Sequence, residues 1–218
     1  MDVSDILFLQ GWGRDHAENP GPSYLCAQAV AKRSGGEVCT LRDYQKAQSL
    51  EDLSRSIQAW QTNTFLPRPF GIVASSFGAL ATLRWIRDCD RLPRDYRGSI
   101  FLNPFLSPRL IAAGMNWFQK AIVMKLGLRH PSGQRMPPWM VRSIIENDVL
   151  RGPWVDYLAK VHPNHQISVV ITKLGQQGPT YDPVALEHLV VGLGLKSQDL
   201  CSQQLPMPPD DEIVAIFG

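Results

Sequence analysis

The chain has little that would send it to a membrane, a nucleic acid or a nucleotide phosphate. Its longest apolar region, residues 110–128, is interrupted by Asn116, Gln119, Lys120 and Lys125, so no stretch suits a bilayer span and membrane contact is not expected. Basic residues number 22 against 20 acidic ones, an excess too small to make nucleic acid the main partner. Neither Gly-x-Gly-x-x-Gly nor Gly-x-x-x-x-Gly-Lys occurs, which argues against the usual glycine-rich cradles for nucleotides. The N-terminal Met1-Asp2-Val3-Ser4-Asp5 is acidic where a secretory signal is basic. Cys26, Cys39, Cys89 and Cys201 are scattered, without paired metal-type spacing, and read as free thiols of a reducing compartment. The expected location is the cytoplasm, and no metal or cofactor is implied.

What is present is a globular composition, 44% hydrophobic and 19% charged, in a length of 218 residues that suits one domain with a modest insertion. Short apolar runs alternate with helical patterns, which predicts an α/β fold with a mostly parallel sheet flanked by helices. Strands are expected at residues 6–9, 37–41, 70–74, 99–102, 167–172 and 213–217. Helices are expected at 24–33, at 77–87, at 182–193, and after Ser49, where Leu50, Leu53, Ile57 and Trp60 fall at helical spacing. Roughly sixty residues without strand character separate Asn103-Pro104 from Ile167, too many for an ordinary loop. They read as helices at 108–126, 138–150 and 154–161, forming a helical cap at about 105–165 inserted in a single domain.

One pentapeptide carries chemistry. Ala74-Ser75-Ser76-Phe77-Gly78 follows an apolar strand and opens a helix. A sharp turn there lifts the central hydroxyl clear of the sheet, and it needs small residues on either side. Ser76 is the candidate nucleophile, and the helix N-terminus behind it directs N–H groups toward developing negative charge. The competing reading is a plain strand-to-helix turn whose serine caps the helix.

The glycine turn Leu9-Gln10-Gly11-Trp12-Gly13, the Ala74–Gly78 pentapeptide, Asn103-Pro104 and the loop at Asp182 together resemble the α/β-hydrolase superfamily, over most of the chain. Ala74 stands where glycine is commoner. The Gly-Trp-Gly turn is also similar to that of pimeloyl-carrier-protein methyl ester esterases. The resemblance implies that the backbone amides of Trp12 and Phe77 form an oxyanion hole, and that Asp182 orients a catalytic histidine. A core tryptophan in a glycine turn, and an aspartate capping a helix before Pro183, are the alternatives.

The family places its general base after the last strand, and no histidine follows residues 213–217. A serine without a proton acceptor is a poor nucleophile at neutral pH. His16, in the loop after the glycine turn, is the candidate base; His130, His162 and His165 fall in the cap or at its hinge, and His188 falls in a predicted helix. A relocated base, a lost activity with a retained binding cleft, and a continuation of the chain beyond Gly218 all remain open.

The cap holds Trp117, Trp139 and Trp154 with Met115, Met124, Met136 and Met140, which suits either an apolar substrate cleft or simple packing onto the sheet. Residues 106–165 carry eight basic and three acidic side chains. That balance suits docking of an acidic carrier protein or an anionic substrate, or a solvated helical face, and basic amphipathic helices can also touch membranes. The sequence thus points to a serine hydrolase or acyltransferase acting on an ester or thioester; a non-catalytic binding protein of the same fold is the alternative.

Overall fold

The computed structural model describes residues 5–11, 21–41, 46–63, 69–104, 116–129, 135–145, 166–172 and 200–203. Six parallel strands form the central sheet: β1 (Asp5–Leu9), β2 (Val38–Thr40), β3 (Phe70–Ser75), β4 (Tyr96–Leu102), β7 (Gln166–Thr172) and β8 (Leu200–Gln203). Their order across the sheet is β2-β1-β3-β4-β7-β8. Parallel neighbours require crossovers, and helices supply the first three: α1 (Pro22–Arg33), α2 (Leu50–Asn63) and α3 (Phe77–Asp88).

Both faces of the sheet are covered, which is why its strands read as nearly continuous apolar runs. Ile6, Phe8, Val73, Ile100 and Leu102 share one core with Cys26, Ala27, Val30 and Ala31 of α1. Leu7, Leu9, Ile72, Ala74 and Phe101 face the other way, into a core built with α2 and α3. The alternation follows from the two-residue period of a strand. Ser49 starts α2 as expected, its hydroxyl accepting the Asp52 N–H at 3.0 Å. Leu50, Leu53 and Ile57 of α2 are buried.

Several expectations need correction. Strand β4 begins at Tyr96 rather than at Ser99. Arg97 and Gly98 weaken the strand pattern, but the Tyr96 ring is buried against Phe70 and Trp85, and its hydroxyl pairs with Ser99 at 2.6 Å. The helix expected over 108–126 begins at Trp117 as α4 (Trp117–Leu126). Asn116 is extended and caps it: its side chain accepts the Gln119 N–H while the Gln119 side chain accepts the Asn116 N–H. The segment taken to lack strands contains an antiparallel ribbon of β5 (Leu128–Arg129) and β6 (Arg135–Met136), followed by α5 (Pro138–Ile145). Gly127 turns α4 into that ribbon at φ 77°, where a Cβ would overlap the Met136 carbonyl oxygen.

At the far edge, β8 comes from a short polar run, Leu200-Cys201-Ser202-Gln203, that has no strand pattern of its own and is held by pairing with β7. The run 213–217, and the helices expected at 154–161 and 182–193, lie outside the described residues. No helix among the described residues is long and apolar enough to cross a membrane.

Cys26, Cys39 and Cys89 carry free thiols. Burial pushes Cys26 up to about 12. Burial raises Cys89 to about 11, helped by the negative charges of Asp88 and Asp90. A thiol whose folded pKa exceeds its unfolded value binds more protons folded than unfolded, so stability falls as pH rises from about 9. We expect unfolding free energy to decline from about pH 9 toward pH 12, by up to about 1.4 kcal/mol per pH unit for Cys26. Denaturant titrations in this range should show a shallower decline for Cys26→Ala; identical slopes would contradict the account.

Candidate active site

In an open parallel sheet, a crevice forms where neighbouring strands send their connections to opposite sides. Here that point lies between β1, which leads outward to β2, and β3, which leads to β4 on the other side. Gly11 lies just beyond the end of β1, and Ser76 just beyond the end of β3. The helix following each strand runs back down the sheet, so α1 and α3 start at this same edge, with their positive dipole ends toward the crevice.

Ser76 adopts φ 50° and ψ −114°. Its N–H donates to the Leu102 carbonyl at the end of β4 (3.0 Å), and its carbonyl accepts the Ala79 N–H (3.2 Å). The turn is thereby tied to the neighbouring strand and to the first turn of α3. The Ser76 side chain makes no capping hydrogen bond to α3. The plain capping reading of this serine is therefore set aside. Between Phe70 and Leu83, only Ser75 and Ser76 are more than marginally exposed.

The small residues around the turn have specific reasons. A Cβ on Gly78 would overlap the Leu9 carbonyl oxygen and lie 3.0 Å from that of Gln10, so α3 rests directly on the end of β1. A Cβ on Gly11 would lie 2.8 Å from Ser76 Cβ and 3.5 Å from Ser76 Oγ. The chain leaving β1 thus passes in contact with the candidate nucleophile. These two contacts bring the chain just beyond β1 and the serine turn together.

Two further contacts were not foreseen. Ser75 and Ser23 share a hydrogen bond between hydroxyls at 3.0 Å, which ties the first turn of α1 to the residue before Ser76. Ser75 is on the α1 side because it is two residues beyond Val73, which faces α1. No spacing rule connects residues 52 apart; Pro22 marks only where α1 begins. The Phe77 ring, buried beside Ser76, meets Trp139 of α5 edge-on, with centroids 5.9 Å apart. Met140 and Val141 of α5 are buried in the α2–α3 core, so this segment packs against the start of α3.

Trp12, His16 and Asp182 lie outside the described residues, as do His130, His162, His165 and His188. Identifying β8 moves the outermost described strand to residues 200–203, and none of residues 189–218 is a histidine.

No family model matches the sequence, and no curated protein matches it. Solved structures do match. A protein from Agrobacterium vitis S4 assigned as a hydrolase superposes with a TM-score of 0.65 at 13% identity, covering 99% of this chain and 88% of that one. The chain has the α/β-hydrolase fold. Est1E from Butyrivibrio proteoclasticus, solved with ferulic acid bound, gives a TM-score of 0.60 at 12% identity over 99% of this chain and 85% of its own. Alpha/beta hydrolase domain-containing protein 10 from mouse gives 0.57 at 14% identity over 92% and 77%. In the α/β-hydrolase fold the edge that Ser76 occupies is the carboxyl end of the sheet, where open α/β sheets bind their ligands.

Proposed function

We propose that this chain is a serine hydrolase or acyltransferase acting on an ester or thioester, with Ser76 as its nucleophile. The observation that carries this reading is the Ser76 backbone at positive φ, set at the switch point between β1 and β3. Such a conformation is uncommon for a residue other than glycine, asparagine or aspartate and is retained where surrounding structure enforces it.

Ser76 Oγ attacks the carbonyl carbon of the substrate and passes its proton to a base; His16 is assigned that role. The tetrahedral oxyanion is held by the backbone amides of Trp12 and Phe77. Phe77 is the first residue of α3, and Gly11, just before Trp12, already touches Ser76. Collapse of the intermediate breaks the carbonyl bond to the alcohol or thiol, which leaves with the proton. Water, or a second acceptor in a transferase, then releases the acyl group. Asp182 orients the base. Residues of about 105–165 serve as the cap, consistent with Trp139 packing against Phe77. The excess of basic residues in that segment favours a substrate carried on an acidic carrier protein.

A second reading is a binding protein that retains the cleft without turnover. A fluorophosphonate probe separates the two. Covalent labelling of the native protein, lost in Ser76→Ala, supports the nucleophile; absence of labelling in the native protein supports binding alone. Gly11→Ala should slow labelling about tenfold or more, because its methyl displaces the Ser76 side chain from 2.8 Å. An unchanged labelling rate in that variant would remove the glycine turn from the site.

A further inference from the structure

The helix α4 is apolar on the side it shows to solvent. Trp117 is 79% exposed, Phe118 58%, Leu126 51% and Ile122 40%. At 100° per residue these side chains, with Ala121, cover one continuous half of the helix. They are interrupted only by Lys125. The opposite side is the one in use: Lys120, Val123 and Met124 are partly buried, and Val123 joins the core that includes α5. None of the ten residues of α4 is buried.

Charge narrows the environment. Residues 96–145 contain no aspartate or glutamate but seven basic residues: Arg97, Arg109, Lys120, Lys125, Arg129, Arg135 and Arg142. Like charge opposes pairing of this face with a second copy of itself. The exposed strip is also small. It is about 15 Å long, whereas a stable protein interface buries about 800 Å² on each partner.

We propose that α4 is an interfacial helix that lies along an anionic lipid surface. Trp117, Phe118, Ile122 and Leu126 enter the headgroup boundary while Lys125, within the exposed strip, reaches phosphates with its extended stem. The aromatic pair Trp117–Phe118, edge-on at 5.8 Å, sits at the start of the helix, and amphipathic rings such as tryptophan are favoured at that depth. The breaks at Lys120 and Lys125 exclude a span, but they are compatible with a helix lying in the plane of the surface. This surface is independent of any role for Ser76, although α4 adjoins α5, whose Trp139 packs on Phe77.

Sedimentation with vesicles tests it, comparing equimolar phosphatidylglycerol and phosphatidylcholine with phosphatidylcholine alone. The native full chain should partition onto the mixed vesicles and bind the neutral ones more weakly. The double substitution Phe118→Asp and Ile122→Asp should lower partition by about tenfold or more. Lys125→Gln should lower it roughly fivefold on anionic vesicles only. Circular dichroism should be unchanged in each variant, since α4 contributes no buried side chain; if the double variant fails to fold, Trp117→Gln alone should show reduced partition. Three results would each overturn the proposal. They are native protein that ignores both vesicles, partition unaffected by the aspartates, and native protein that instead binds an acidic protein or itself through these side chains.

Discussion

Gly78→Ala is expected to destabilise the protein by about 3 kcal/mol or more. The three atoms nearest the new methyl are all backbone: the Leu9 carbonyl oxygen, which it would overlap, the Leu9 carbonyl carbon at 2.9 Å and the Gln10 oxygen at 3.0 Å. Neither side can yield cheaply. Strand β1 is paired on both edges, to β2 and β3. Helix α3 is buried along most of its length, including Phe77, Leu80, Leu83, Trp85 and Ile86. Relief requires moving α3 away from the sheet, which opens the core that these side chains fill. Thermal melting should fall by about 10 °C for a domain of this size. A change within 2 °C of native would mean that α3 and β1 are not in this contact.

The second large effect separates stability from chemistry at one atom. Ser76→Gly and Ser76→Ala should both abolish fluorophosphonate labelling. Only the glycine variant should also stabilise the fold. Ser76 holds φ 50° and ψ −114°, a conformation that costs a residue with a Cβ about 1–3 kcal/mol and costs glycine little. The greater unfolded-state freedom of glycine returns about 0.5–1 kcal/mol of that gain. The net expectation for Ser76→Gly is a rise of about 1 kcal/mol, with Ser76→Ala near native. Chemical denaturation checks this directly. Equal stability of the glycine and alanine variants would show that the turn stores no strain.

The same turn shows how far the sequence could be read. The small-x-Ser-x-Gly frame, with an apolar strand before and a helical pattern after, located Ser76 because the backbone geometry demands those residue types locally. The strand periods were legible for the same reason. Val73 and Ile72 point to opposite faces by local geometry alone, and both faces are apolar because helices cover both. Elements without a local signal were lost. Strand β8 has a polar composition and exists by pairing with β7. Tyr96 joins β4 because its ring is enclosed by Phe70 and Trp85, residues remote in sequence. In the opposite direction, the apolar run before Trp117 suggested one helix over 108–126, whereas the Asn116–Gln119 capping box sets the start of α4 at Trp117.

The sequence by itself determined the alternating strands and helices, the position of the turn at Ser76 and the small residues that the turn requires. These follow from periodicity and backbone sterics, which act over a few residues. Only the tertiary structure decided what meets that turn. Gly11 against Ser76, Gly78 against Leu9 and Ser23 bonded to Ser75 join segments from different strands and helices. Close packing of crossovers onto one sheet edge brings them together, and no local pattern encodes such contacts. The outward face of α4 belongs with them. In the sequence Trp117 suits either a substrate cleft or packing onto the sheet, and it is the placement of Val123 toward α5 that leaves Trp117 and Phe118 in solvent.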